Sequence, residues 1–89
     1  MKLAIIVVTY QAESYLDGLF STLKQHTDLD DIAVVVVDNA SSDGTLAELS
    51  RIRQAWPNLH VLPQARNTGF AEGNNIGLRW ARERGATFA

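Results

Sequence analysis

Residues 34–45 read Val34-Val35-Val36-Val37-Asp38-Asn39-Ala40-Ser41-Ser42-Asp43-Gly44-Thr45. Four consecutive β-branched residues are typical of a strand that is buried on both faces of a sheet. The polar residues after Asp38 cannot continue that strand, and they predict a loop that leads into a helix. We therefore expect Asp38 at the carboxyl end of a central strand, where open α/β sheets bind their ligands.

The same order of apolar run, polar loop and helical spacing occurs three times along the chain. Strands are predicted at residues 3–8, at 32–37 and, near a sheet edge, at 59–62, and a fourth strand begins at 87–89. Strands that alternate with helices predict βαβ units and a parallel sheet. The predicted fold class is therefore α/β, with a Rossmann-like parallel sheet and alternating helices.

Helices are predicted between these strands from apolar spacing and from end signals. The first has apolar residues at helical spacing, namely Leu16, Leu19, Phe20 and Leu23. The second has Thr45 and Glu48 in capping-box register and extends to Trp56. The third spans residues 70–84, with Gly73 and Gly77 on one face for close approach to the sheet, and Gly85 ends it.

Composition limits the classes of protein to which this chain can belong. The chain has 89 residues, a formal net charge of −2 and no cysteine. One small domain is expected, without disulfides or thiolate metal sites. The sequence has no basic stripe of the kind that binds nucleic acid, so nucleic acid is not expected as a partner. The apolar amino terminus is short and is interpreted as a buried strand, and no run approaches the ~20 apolar residues of a membrane span.

Three strand-to-helix loops, at residues 9–13, 38–44 and 63–69, are expected to open at one edge of the sheet. Asp38 has two interpretations that the sequence leaves open. Its carboxylate could accept a hydrogen bond from a ligand N–H or hydroxyl, such as the imide of uracil or thymine or a ribose, or it could cap the following turn. Asp43 fits a helix entry better than a ligand contact.

Other candidate binding residues lie in the first and third loops. Tyr10 could stack on a base and Thr9 could bond to it, although both could simply form the rim of the core. Glu13 could cap the first helix or contact a ligand. Arg66 could bond a base carbonyl or neutralise a diphosphate, and Asn67 lies beside it.

Several known motifs are absent. The chain has neither the dinucleotide fingerprint nor a P-loop. Residues 39–44 imitate the start of a calcium loop, but Ser50 stands where that loop needs a bidentate Glu. No pair of nucleophile and base can be identified, so no catalytic residue is predicted.

Three segments together carry a family resemblance. Residues 6–10 read Ile6-Val7-Val8-Thr9-Tyr10, followed by Gln11 where relatives usually have Asn. Residues 36–45 form a second signature, and residues 67–77 read Asn67-Thr68-Gly69-Phe70-Ala71-Glu72-Gly73-Asn74-Asn75-Ile76-Gly77. The chain resembles the family 2 glycosyltransferases, which are inverting enzymes of the GT-A fold, and especially their rhamnosyltransferase-like members.

The resemblance implies the nucleotide-binding half of a GT-A fold, with a UDP-sugar or dTDP-sugar as donor. Six residues would form the nucleotide site: Thr9, Tyr10, Glu13, Asp38, Arg66 and Asn67. A divalent metal, Mg²⁺ or Mn²⁺, would neutralise the diphosphate, and a carboxylate would deprotonate the hydroxyl of a saccharide or lipid-linked acceptor. A location in the cytoplasm or at the cytoplasmic face of the membrane is implied as well.

The resemblance also implies that residues 1–89 are only part of a family domain. The D-x-D metal motif normally follows the strand that begins near Thr87, and the catalytic base lies further on. We therefore expect that the chain alone does not transfer sugar, and that an incompletely paired first strand favours self-association.

Two alternatives remain at this stage. A stand-alone binding or regulatory module, such as a receiver domain, also places an Asp at a strand end, but it needs an acidic pair where this chain has Thr9-Tyr10-Gln11. A non-catalytic remnant kept for partner contacts is the other alternative.

Overall fold

A four-stranded parallel sheet forms the centre of the computed structural model, which describes residues 3–26 and 32–88. The strands are β1 (Leu3–Thr9), β2 (Ile32–Asp38), β3 (Leu59–Pro63) and β4 (Thr87–Phe88). The helices are α1 (Leu16–His26), α2 (Thr45–Gln54) and α3 (Phe70–Glu83), and a short 3₁₀ turn, Glu13–Tyr15, precedes α1. The strand order is β3-β2-β1-β4. The α/β prediction is confirmed, and the predicted strand residue Ala89 lies outside the described residues.

Strand β2 is buried on both faces, as its valine run predicted. Val34 and Val36 pack in the cluster formed with α1 and α2, while Val35 packs in the cluster formed with α3. All three valines have no exposed surface. Helices α1 and α2 therefore cover one face of the sheet and α3 covers the other.

Helix α3 lies unusually close to the sheet, because glycine replaces a side chain at two contact points. A Cβ on Gly73 would lie 2.9 Å from Val8 Cγ1, and one on Gly77 would lie 2.6 Å from Ile6 Cγ2. Both predicted close approaches are confirmed. Gly85 has φ 79° just after α3, which confirms the predicted helix stop.

The predicted ends of α2 are wrong. Thr45 is the first residue of α2 rather than the residue before it, and Glu48 bonds to Arg51 instead of reaching back in a capping box. Trp56 lies beyond the end of α2. Its ring is buried and meets Phe20 edge to face, with ring centroids 5.4 Å apart. Packing against Phe20, and not continuation of the helix, explains why an apolar residue recurs there.

The two tryptophans lie in different layers. Trp56 belongs to the cluster of α1 and α2, whereas Trp80 packs against the cluster beneath α3. Trp80 is half-buried between His60, at 4.8 Å between ring centroids, and Arg84, whose guanidinium carbon lies 3.8 Å from the ring centroid. Each layer thus has its own aromatic contact.

The two sheet edges differ in how they are covered. Strand β3 is an edge strand, as predicted. On the other side, β4 pairs with β1 only at Leu3 and Ala4. Within the described part of the chain, residues 5–9 of β1 therefore have a strand neighbour on one side alone.

Candidate functional site

Three strands end at the same level of the sheet. Thr9 pairs with Asp38, and Asp38 pairs with Pro63 on its other side. The ladder continues by one step, because Asn39 N–H donates to Thr9 O and Gln64 N–H donates to Asp38 O, each at 2.9 Å. The parallel register therefore brings the three predicted loops to one edge, which we call the carboxyl edge.

The Asp38 carboxylate lies at the centre of this edge and is hydrogen-bonded within the chain. Its Oδ1 accepts from Thr9 Oγ1 at 2.8 Å and from Ser41 Oγ at 2.7 Å, and its Oδ2 accepts from Ser41 N–H at 3.0 Å. Asp38 has no exposed surface. The structure thus shows the turn-capping role of Asp38, while Oδ2, with one protein donor, has capacity for a second.

Gln11 joins the first loop to the second. Its backbone N–H donates to Ser41 Oγ at 2.8 Å, and its side-chain Oε1 accepts from the N–H groups of Ser42 at 2.6 Å and Asp43 at 3.2 Å. Its Nε2 donates to Ser42 Oγ at 3.0 Å. We call this set of contacts the Gln11 clamp.

Carboxylates of the chain itself bind the amino terminus of α2. Gly44 N–H donates to Glu13 Oε1 at 2.9 Å, and Thr45 N–H donates to Asp43 Oδ1 at 3.0 Å. The hydrogen bond from the Thr45 hydroxyl is the largest cause that lowers the pKa of exposed Asp43, and a smaller desolvation effect opposes it. Asp43 therefore has the predicted role of a helix-entry residue, and Glu13 caps α2 rather than α1. Gln11 Oε1 accepts from the two preceding amides, so the N–H groups of residues 42–45 are all bonded within the chain.

The third loop is more open than the other two. Arg66 and Asn67 are exposed, and Asn67 Oδ1 accepts from Gly69 N–H at 2.9 Å. Gly69 has φ 92°, which glycine adopts without strain, and its carbonyl accepts from the Asn39 side-chain amide at 3.1 Å. Tyr10, which follows β1, is 51% exposed. The exposed candidate side chains thus lie around the buried pair Thr9 and Asp38.

The described residues do not contain the donor set of a metal centre. No group of three or more His, Cys, Asp or Glu side chains in residues 3–26 and 32–88 could hold a metal ion. The acidic side chains at the carboxyl edge are instead engaged by backbone amides and hydroxyls. In the same ranges, no helix is both long and apolar enough to cross a bilayer.

Comparison with known proteins decides the family. Residues 4–88 match the model of glycosyl transferase family 2. The chain belongs to this family. It is 34% identical over 82 residues to the dTDP-rhamnosyl transferase RfbF of Shigella flexneri, covering 91% of this chain and 25% of RfbF. The chain spans 11% to 25% of the length of the curated relatives it matches.

Solved structures agree with this family and with the GT-A fold. Residues 1–349 of Staphylococcus aureus TarS in complex with UDP-GlcNAc match with a TM-score of 0.79 and 36% identity, covering 91% of this chain and 24% of that one. A Pyrobaculum calidifontis mannosyltransferase in complex with GDP-Man and Mn²⁺ matches with a TM-score of 0.70 and 32% identity, covering 90% and 24%. The architecture of this chain is therefore a Rossmann-like α/β part of a GT-A fold.

The receiver-like alternative is not supported. The family match covers nearly the whole chain, from residue 4 to residue 88. A receiver domain needs an acidic pair at the end of its first strand, where this chain has Thr9-Tyr10-Gln11.

Sequence reasoning missed the residues that hold the carboxyl edge together. Gln11 was noted only as a departure from the family, and Ser41 and Asn39 were given no role. One signal in the sequence could have identified Gln11. It has a long amide side chain just after a strand end, and the neighbouring loop, residues 38–44, has backbone N–H groups that need acceptors. The contacts themselves join residues about thirty positions apart, so local patterns could not identify them.

Proposed function

We propose that the carboxyl edge binds the nucleotide of a UDP-sugar or dTDP-sugar, as the donor-binding part of an inverting glycosyltransferase. The observation that carries the proposal is the common level of Thr9, Asp38 and Pro63, which gathers the three loops around one position. Family 2 membership and the TarS structure with UDP-GlcNAc support the same ligand class.

The exposed residues are suited to direct contact with the nucleotide. Tyr10 offers a half-exposed ring on which a base can stack. Arg66 offers a planar cation for a base carbonyl or a phosphate, and Asn67 lies beside it. Glu13 Oε1 accepts a hydrogen bond from Gly44 N–H, and we assign Glu13 Oε2 as the acceptor of a hydrogen bond from a ribose hydroxyl.

The buried residues form the floor beneath the base. Thr9 and Asp38 are 4% and 0% exposed and hold each other through a 2.8 Å hydrogen bond. We assign the remaining acceptor capacity of Asp38 Oδ2 to the pyrimidine N3–H. Such a hydrogen bond to a buried carboxylate is stronger than the same hydrogen bond in water.

Transfer itself belongs to the whole enzyme in this proposal. A divalent metal, Mg²⁺ or Mn²⁺, supplies Lewis-acid stabilisation of the diphosphate leaving group when bound. No described residue is assigned to it. The acceptor is a saccharide or lipid-linked hydroxyl, as in the synthesis of cell-surface polysaccharides, and we assign the enzyme to the cytoplasm or to the cytoplasmic face of the membrane.

Titration of the 89-residue chain with UDP, dTDP and GDP, with and without Mn²⁺, tests the proposal. We expect UDP or dTDP to bind more tightly than GDP, since the floor is assigned to a pyrimidine. Asp38→Asn, which keeps the size but removes the charge, should weaken UDP binding by about tenfold or more. Asp17→Asn, which removes an exposed carboxylate in α1, is the matched control and should bind UDP like the wild type.

Two results would contradict the proposal. Equal, weak binding of all three nucleotides would favour the remnant that keeps only partner contacts. Tighter binding of GDP would retain the donor site but overturn the pyrimidine assignment. A sugar-transfer assay with the 89-residue chain should show no turnover above buffer.

A further inference from the structure

Gln11 combines an unusual backbone conformation with a dense set of hydrogen bonds. Its φ of 51° lies in the left-handed region, which non-glycine residues rarely adopt. The chain turns there, directly after the residues that end β1. Such a conformation persists only where its surroundings hold it. The Gln11 clamp supplies that hold, because the side-chain amide uses both its oxygen and its nitrogen on the second loop.

The clamp is connected to the buried carboxylate through one hydroxyl. Ser41 Oγ accepts from Gln11 N–H and donates its own proton to Asp38 Oδ1. Thr9 Oγ1 donates to the same carboxylate oxygen. Both hydroxyl donors are directed to Oδ1. Among the residues that the structure describes, Oδ2 therefore accepts from the backbone N–H of Ser41 alone. The clamp therefore determines which carboxylate oxygen has acceptor capacity.

We propose that Gln11 is a positioning residue that presets the floor of the base site by locking the first and second loops together. The inference rests on the proposed function, namely that a nucleotide binds at the carboxyl edge. Gln11 itself is not assigned a ligand contact. Its effect is preorganisation: a loop that is already ordered does not have to be ordered when the ligand binds.

Three variants separate this role from a general effect on folding. Gln11→Leu keeps the approximate length of the side chain but removes its three side-chain hydrogen bonds. Gln11→Glu is the conservative rescue, because a carboxylate can still accept from Ser42 N–H and Asp43 N–H, and the Ser42 hydroxyl can donate to it. Gln25→Leu makes the same chemical change at an exposed position in α1 and is the matched control.

Binding of two probes, uridine and UDP, is measured by calorimetry for each variant of the 89-residue chain. We expect Gln11→Leu to weaken uridine and UDP by the same factor, about tenfold, because the floor lies under the base and not under the phosphates. Gln11→Glu should restore uridine binding to within about threefold. Gln25→Leu should bind both probes like the wild type.

Amide hydrogen exchange gives a second readout that ligand affinity does not influence. In Gln11→Leu, the Ser42 and Asp43 amides should exchange at least about tenfold faster than in the wild type, while amides of β2 keep their protection. Gln11→Glu should keep both loop amides protected. This local pattern is not expected if Gln11→Leu merely lowers global stability.

Distinct failures have distinct meanings. Unchanged exchange at Ser42 and Asp43 in Gln11→Leu, or tighter uridine binding by that variant, would overturn the positioning role while the proposed function stands. If Gln11→Leu loses UDP binding while its uridine binding is unaffected, the positioning role is also overturned, and Gln11 would instead act on the phosphates. A wild-type chain that binds neither probe would overturn the proposed function and this inference together.

Discussion

Two non-glycine residues at the carboxyl edge adopt left-handed backbone conformations, Gln11 at φ 51° and Ala40 at φ 60°. Each lies two residues after a member of the Thr9 and Asp38 pair, just beyond the end of its strand. At Ala40 the bend lets its N–H donate to Asp38 O at 2.9 Å and brings Ser41 back onto the carboxylate. The strain is therefore located where the chain must reverse over the buried acid.

Replacing Ala40 with glycine tests that strain. We expect Ala40→Gly to raise the free energy of unfolding by up to about 1 kcal/mol, because glycine adopts positive φ without a Cβ clash. The same change at exposed Ala47 in α2 should lower it by about 1 kcal/mol, since glycine weakens a helix interior. Denaturant unfolding measures both. If both substitutions changed the free energy of unfolding in the same direction, the proposed strain at residue 40 would be disproved.

The pH dependence of stability should carry a contribution from His60. Burial is the main cause that lowers the pKa of His60 below its usual 6.5, and the charges of Arg53 and Arg84 act in the same direction. At a pH well above the usual pKa of 6.5, the imidazole is neutral in both the folded and the unfolded chain. Below it the unfolded chain takes up the proton more readily, so acidification favours unfolding.

Comparison of the wild type with His60→Gln isolates this contribution. As the pH falls from about 7.5 to about 5, the wild type should lose more thermal stability than the variant. The difference should vanish above pH 7, apart from a constant offset due to the lost contact with Trp80. A difference that does not change with pH would rule out the assigned cause.

At this scale the sequence predicted where residues lie better than what they bond to. The position of Asp38 followed from the end of an apolar run, and the structure places it there. Its hydrogen bonds depend on Ser41 folding back through Ala40, and no residue pattern signals a left-handed alanine. The assignment of the six nucleotide-binding residues remains a prediction.

Among the elements, α3 depends most on a sequence feature that would weaken a free helix. Gly73 and Gly77 lower helix propensity, but they allow the helix axis to approach β1 and β2. The gain is contact with the sheet, since both glycines are buried. The spacing of four residues made this predictable, because such residues share one helix face.

The pair Gly77→Ala and Gly18→Ala separates packing from helix propensity. In Gly77→Ala the new Cβ would lie 2.6 Å from Ile6 Cγ2 and 3.1 Å from Val37 Cγ2, so we expect a loss of about 1–3 kcal/mol. Gly18 has open space around its Cβ position, so Gly18→Ala should gain about 0.5–1 kcal/mol. Chemical denaturation of both variants checks this, and a stabilised Gly77→Ala would mean that α3 can move away from the sheet.

The ends of α2 were harder to predict than its existence. Thr45 and Glu48 fit a capping box, but Asp43 and Glu13 already supply the acceptors for the first amides of α2. Glu13 comes from the first loop, about thirty residues earlier, and a local motif cannot anticipate such a competitor. Tertiary contacts therefore decided the helix entry.

For the molecule as a whole, topology accounts for most of what could be predicted about the site. Alternating strands and helices imply a parallel sheet, and a parallel sheet brings its loops to one edge. That argument placed Thr9, Asp38 and the third loop at one edge before any contact was known. The clamp between the loops could not be predicted, because it depends on the separation of two backbones.

The open edge of β1 gives a prediction for the whole chain in solution. Within residues 3–26 and 32–88, pairing of β1 with β4 involves Leu3 and Ala4 alone, and apolar residues follow along β1. Such an edge can pair with a second copy. We expect the average mass of the 89-residue chain in sedimentation experiments to rise with protein concentration. A constant monomer mass over a hundredfold concentration range would contradict this expectation.

The placement of the two tryptophans gives each layer of the protein its own fluorescent reporter. Trp56 emits from a closed apolar layer, whereas Trp80 emits beside a guanidinium and an imidazole. Chains that retain one indole at a time would therefore report separately on the layer of α1 and α2 and on that of α3. If the two single-tryptophan chains gave superimposable melting curves, both helical layers would unfold in a single cooperative transition.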